Sequence, residues 1–183
     1  MTGPPKEACA GNAVFSPCGR YRYFLRRRWS ETGGIAVWIM LNPSQADSSH
    51  DDPTIRRCMS FSREWGYGAM IAVNLYALRA TDPDDLSHEE NAVGVENDAH
   101  LAMVCREAGR DGGGRGTVVA AWGRHPLARV RAGEALRLAG SGIHCLGTTT
   151  DGSPRHPLYV PSAQPLVPYR LVNAESKTPP SFR

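Results

Sequence analysis

The run Ile35-Ala36-Val37-Trp38-Ile39-Met40-Leu41 limits what this chain can fold into more than any other stretch. It is continuously apolar and rich in branched and aromatic side chains, so it reads as a strand buried on both faces. It runs directly into Asn42-Pro43-Ser44. Proline brings no N–H to a sheet ladder, so the strand stops there and Asn42 is held extended at its carboxyl end. In an open α/β sheet, ligands bind in the crevice outside the carboxyl ends of the strands. The Asn42 carboxamide is therefore the first candidate functional group, beside the plainer role of ending a strand.

The arrangement recurs. Ala69-Met70-Ile71-Ala72-Val73-Asn74-Leu75-Tyr76 is a second buried strand with an asparagine at its end. A buried amide without partners costs about 1–3 kcal/mol, so Asn74 must bond to backbone or present a donor and an acceptor to a ligand. Thr117–Trp122 and Gly142–Gly147 read as third and fourth strands. Helical patterns separate them. One runs from Pro53 to Trp65, with Asp52 as N-cap, proline at the first position and Ile55, Cys58, Met59 and Trp65 on one face. Others span about Glu96–Ala108 and Leu127–Ala139. Strands alternating with amphipathic helices predict an α/β domain, three-layer α/β/α, with a largely parallel central sheet. It occupies residues 15–172, between an unordered segment, 1–14, and a polar tail, 173–183.

Ahead of the central strand, the aromatic stretch Tyr21–Trp29 predicts a strand that turns through Gly33-Gly34 into a hairpin with Ile35–Leu41. Its arginines, Arg20, Arg22, Arg26, Arg27 and Arg28, would line a sheet edge. There they either keep the edge from pairing with other chains or face phosphate. Late in the chain, His156 follows the fourth strand in the loop Arg155-His156-Pro157-Leu158-Tyr159. It falls at the same carboxyl edge as the two asparagines.

A chain of 183 residues with 41% hydrophobic content suits one core. The net charge of +3 permits a nucleic-acid or phosphate partner without demanding one. No signal-like apolar segment opens the sequence and no run is long enough to cross a membrane. Five cysteines without a C-x-x-C pair fit reduced thiols in a cytoplasmic protein, with Cys58, Cys105 and Cys145 in the core. The spacing of Asp47, His50 and Asp51 matches no zinc or calcium pattern, and Gly109–Gly116 lacks the phosphate-loop form. No metal, cofactor or membrane partner is expected, and the chain is read as a monomer.

Several blocks together resemble the bacterial and phage family catalogued as domain of unknown function 1643. They include Met40-Leu41-Asn42-Pro43-Ser44, Asp51-Asp52-Pro53-Thr54-Ile55, Trp65-Gly66-Tyr67-Gly68, Val73-Asn74-Leu75, Ala121-Trp122-Gly123 and Arg155-His156-Pro157-Leu158-Tyr159. The order of motifs is also distantly similar to the uracil-DNA glycosylase superfamily. Leu41-Asn42-Pro43-Ser44 matches the Asn-Pro core of its first motif and departs at the flanking glycines. Val73-Asn74 matches the strand that ends in a base-reading asparagine. His156-Pro157 matches its late His-Pro and departs at the following serine.

That resemblance implies a uracil-DNA glycosylase-like fold and hydrolysis of the N-glycosidic bond of uracil or another modified base in DNA. Asn42 and His156 would be catalytic. Asn74, Ser44, Tyr67, Tyr76, Leu158 and Arg155 would bind substrate. Asn42 would orient water, His156 would donate to a carbonyl oxygen of the leaving base or hold a phosphate, and one of Phe61, Trp65, Tyr67 or Tyr76 would stack on the base. Leu158 and Tyr159 would fill the space left by a flipped nucleotide. The alternatives are a nucleic-acid or nucleotide binding module without turnover, and an N-glycosidase of free nucleosides or nucleotides.

Overall fold

The computed structural model describes residues 10–44, 46–47, 49–110 and 116–171. Among them, one sheet is built from β1 (Ala10–Phe15), β2 (Arg22–Arg28), β3 (Ile35–Met40), β4 (Ala69–Asn74), β5 (Thr117–Ala120), β6 (Ile143–Cys145) and β7 (Val167–Pro168). The helices are α1 (Pro53–Glu64), α2 (Asn97–Arg110) and α3 (Pro126–Ala139), with short 3₁₀ turns at Pro83–His88 and Pro157–Tyr159. No described helix is long and apolar enough to cross a membrane.

The strand order is β1-β2-β4-β3-β5-β6-β7. The predicted largely parallel sheet is corrected by this order. Only β4, β3, β5 and β6 run parallel, whereas β1–β2, β2–β4 and β6–β7 pair antiparallel, so the sheet is mixed. The expected β2–β3 hairpin does not form. β3 is apolar on both faces and takes parallel partners on both edges, β4 and β5. That leaves the outer edge of β4 for β2, which in turn pairs with β1. β2 is therefore interior to the sheet, not at its edge. β1 begins at Ala10, inside the segment expected to lack order. The first nine residues and the tail from 172 onward lie outside the described residues, as does the centre of the glycine-rich loop.

The strand pleat divides the core in two. Ile35, Val37 and Ile39 face one way, onto Leu101, Val104, Ala128 and Ala132 of α2 and α3. Ala36, Trp38 and Met40 face the other, onto Ile55, Cys58 and Phe61 of α1. Trp38 is wholly buried, and its indole N–H donates to Ser62 Oγ at 3.0 Å. Removing a large apolar side chain of this kind from water is worth about 1.5–3 kcal/mol. Cys58, Cys105 and Cys145 are buried free thiols, as their apolar surroundings in the sequence suggested.

The α1 face carries the structure towards the site. Asp52 caps α1, its Oδ1 accepting the Ile55 N–H at 2.8 Å. Pro53 occupies the first turn, where its missing N–H costs nothing. Two arginines of β2 then hold the segment between β3 and α1. Arg22 donates to Ala46 O at 2.7 Å. Arg27, 3% exposed, donates to Asp47 O and pairs with Asp51 at 2.8 Å. Arg26 pairs instead with Glu107 of α2 at 3.0 Å. The arginine cluster is thus divided among internal tasks and is not one phosphate-facing patch.

Candidate functional site

The register fixes where the polar strand ends meet. Met40 of β3 lies beside Asn74 of β4, and Ile39 beside Ala120 of β5. Asn42, two residues past Met40, and Trp122-Gly123, just past β5, therefore stand on the same rim as Asn74. A cavity of about 440 Å³ opens there. Its walls include Arg22, Asn42, Ser44, Asp52, Asn74, Thr81, Trp122, Gly123, His156 and Tyr159. The volume falls in the range of small-molecule sites, about 300–1,000 Å³. A larger, shallower groove of about 820 Å³ runs on from it and shares Ser44, Ala80 and Thr81.

Asn74 is the most unusual group in this cavity. It is 1% exposed, and neither its Nδ2 nor its Oδ1 has a hydrogen-bond partner among the described residues. Its backbone is satisfied, since Asn74 O accepts from Asn97 Nδ2 at 2.9 Å. The side chain alone is left open, with the cost that an unpaired buried amide carries.

Asn42 is tied more firmly. Its Nδ2 donates to Ala80 O at 2.9 Å and to Pro43 O at 3.2 Å. With both amide hydrogens directed to backbone, its carbonyl oxygen is what the side chain can offer to the cavity. Ser44 Oγ donates to Asp52 Oδ2. Asp52 thus serves the helix cap with one oxygen and Ser44 with the other, and it brings a carboxylate to the cavity wall.

His156 is placed by two devices. Its Nδ1 accepts the Leu158 N–H at 3.4 Å, capping the 3₁₀ turn. Arg57 of α1 holds that turn against the helix, donating to Pro157 O at 3.3 Å and to Val160 O at 2.7 Å. Burial lowers the His156 pKa to about 4, with the Asp52 charge opposing the shift. The ring is therefore neutral near pH 7 and, with Nδ1 accepting, carries its proton on Nε2. Gly123 lets the loop approach. It has φ +79, and a Cβ there would stand 3.4 Å from His156 Cβ.

Four of the predicted site residues do not line the cavity. Tyr67 precedes β4 and so sits at the opposite end of the sheet, packed on the Trp38 cluster. Tyr76 follows the strand end, turns to the other face and donates to Leu127 O at 2.9 Å. Arg155 is exposed and donates to Thr148 O. Leu158 is exposed on the 3₁₀ turn. Phe61 and Trp65 stack on each other in the core, away from the cavity. The aromatic rings on the cavity wall are Trp122, braced edge-on by Tyr169 at 5.6 Å, and Tyr159, 81% exposed at the mouth. Arg22, Asp52 and Trp122 line the cavity as well, and the sequence offered Arg22 only within a cluster with a phosphate-facing alternative. Asp52 was legible as a helix cap and Trp122 as a strand end, but no motif drew either to the site.

Among the described residues, no group of three or more His, Cys, Asp and Glu side chains is placed to hold a metal ion. A family model described as Protein of unknown function (DUF1643) matches residues 22–158. The chain belongs to that family. The DUF1643 match begins at Arg22 and reaches Leu158, so it takes in every cavity residue named above except Tyr159. No curated protein matches the chain in sequence.

Proposed function

We propose that this chain is a base-recognising glycosylase that hydrolyses the N-glycosidic bond of uracil or another modified base in DNA, on a fold akin to that of the uracil-DNA glycosylases. The observation that carries the reading is the Asn74 carboxamide. Its donor and acceptor are both unpartnered among the described residues, in a cavity that it shares with Asn42 and His156. A pyrimidine edge presents one acceptor beside one donor and would satisfy both.

Breaking an N-glycosidic bond leaves positive charge on the sugar and negative charge on the departing base, so catalysis needs fixed groups of opposite sign at each. In this reading the neutral His156 ring donates from Nε2 to a carbonyl oxygen of the base as it becomes anionic. Asn42 Oδ1 accepts from a water held near the anomeric carbon. Asp52, whose carboxylate lies on the same cavity wall, opposes the charge on the sugar. Trp122 and Tyr159 are the aromatic groups available to the base. In a duplex the nucleotide would first be flipped out, at a cost of a few kcal/mol.

Two observations favour a second reading, binding without turnover. The motif glycines are replaced by Met40 and Ser44. Position 42 carries a carboxamide and not an acidic side chain, so it can orient a water but cannot take its proton. The two readings separate when purified protein is incubated with oligonucleotides bearing single modified bases and the products are treated with alkali. Strand breaks that disappear in Asn42→Ala support the glycosylase. Salt-sensitive binding without breaks supports the binding module. Base release from monomers alone would shift the reading to a nucleoside or nucleotide N-glycosidase.

A further inference from the structure

Arg22 is not needed by the chemistry above, yet it stands in the same cavity. It is 2% exposed. Its guanidinium makes one described bond, from Nη1 to Ala46 O, and its Nε is buried without a partner among the described residues. A buried cation with an unused donor is costly unless an anion compensates it. The strongest carboxylate influence on it is that of Asp52, which is already bonded to Ser44 and to the α1 backbone. Asp52 does not offset the burial, which holds the Arg22 pKa down at about 10.

The strand order sets the geometry of the row. Arg22 lies on β2, next come Asn74 on β4 and Asn42 after β3, and last His156 beside Gly123 after β5. Neighbouring strands are about 4.8 Å apart, so the row spans roughly 14 Å from the β2 end to the β5 end. Arg22 N also donates to Ala77 O, three residues beyond Asn74, so the guanidinium arises further out along the rim. The cavity therefore has a cationic end, two carboxamides in the middle and a neutral imidazole at the far end.

We propose that Arg22 is an anion subsite, and that the cavity takes a nucleotide unit with its phosphate at Arg22, not a bare base or nucleoside. This rests on the base-reading role given to Asn74 and adds the substrate class. Guanidinium suits phosphate because its planar donors pair with two oxygens at once. The phosphate can come from a free mononucleotide or from a DNA strand.

The test is binding by calorimetry at constant ionic strength. It compares 2′-deoxyuridine 5′-monophosphate with 2′-deoxyuridine, and the matching pairs for the four ordinary DNA bases. Inorganic phosphate alone is the third probe, and a single-stranded oligonucleotide the fourth. The expected result is a preference for at least one monophosphate over its nucleoside of about tenfold or more. Inorganic phosphate should compete with it, and the preference should collapse in Arg22→Gln while largely persisting in Arg22→Lys. Competition by the oligonucleotide at lower concentration than the monophosphate assigns the phosphate to a strand, and the reverse order assigns it to a free nucleotide. Equal binding of nucleoside and monophosphate overturns the proposal, as does phosphate that neither binds nor competes. The phosphate competition uses the unaltered protein, so it decides the matter even if Arg22→Gln does not fold. Absence of base release would defeat the glycosylase reading and leave this one standing.

Discussion

Replacing Asn74 with leucine should make the unliganded protein more stable. Leucine has the same branched heavy-atom outline as asparagine with bulkier terminal methyls, so the change keeps the shape of the side chain at a position that is 1% exposed and beside a cavity that can take the extra volume. It removes two buried polar atoms that have no described partner. Each kind of unpaired group costs about 1–3 kcal/mol when buried. The bond from Asn97 Nδ2 to Asn74 O and the neighbouring bond from Leu75 N to Met40 O do not use the Asn74 side chain, so they survive. For a domain of this length, 1 kcal/mol moves the melting temperature by about 2–4 °C, so a rise of at least about 2 °C is expected. Thermal unfolding followed by circular dichroism measures it, run beside nucleotide binding and base release. The variant should gain stability and lose both ligand readouts, the trade expected where a site keeps a strained or unsatisfied group for its ligand. A melting temperature that falls by several degrees would refute the reasoning, because the amide would then be bonding within the unliganded fold.

His156 folds neutral with a pKa near 4, below its ordinary value of 6.5, so the unfolded chain binds its proton first as pH falls. The stability it contributes is complete above about pH 6.5 and is lost progressively down to about pH 4; denaturation curves across that window should flatten in His156→Gln. Arg57→Met frees the Pro157–Tyr159 turn from α1, so it should weaken catalysis or ligand binding more than it lowers the melting temperature, and Arg57→Lys should restore part of the loss. Asp52→Ala removes the α1 cap and should cost about 1–2 kcal/mol in chemical denaturation, with Asp52→Asn costing less because an amide oxygen still caps. Gly123→Ala meets a left-handed backbone and should cost about 1–2 kcal/mol while displacing His156, read as an imidazole shift by NMR.

The rim was readable because hydrophobic periodicity is strongest in buried strands. Asn42 and Asn74 each end an apolar run, and Pro43 marks where the first must stop, so their shared edge follows from the sequence. Arg22 was not readable in the same way. It is one of five arginines in nine residues, and which of them turns inward depends on β2 pairing with β4 instead of β3. That choice is made by competition for the edges of β3, a matter of tertiary arrangement and not of local pattern. Tyr76 misled for a related reason. Period-two alternation would keep it on the face of Asn74, but the chain leaves the sheet after β4 and the ring swings to α3. Tyr67 carries a family block, yet it precedes its strand, so the sheet places it at the wrong end.

The row of groups along the rim draws on β2, β4, β3, β5 and the turn after β6, which span residues 22 to 159. Neighbours in that row are tens of residues apart in the chain, so the contact order is high and folding should be slow. No early fragment emerging from a ribosome would own more than part of the row. Ligand capture during refolding should therefore lag the appearance of secondary structure and coincide with the final docking step, which makes binding a reporter of complete assembly.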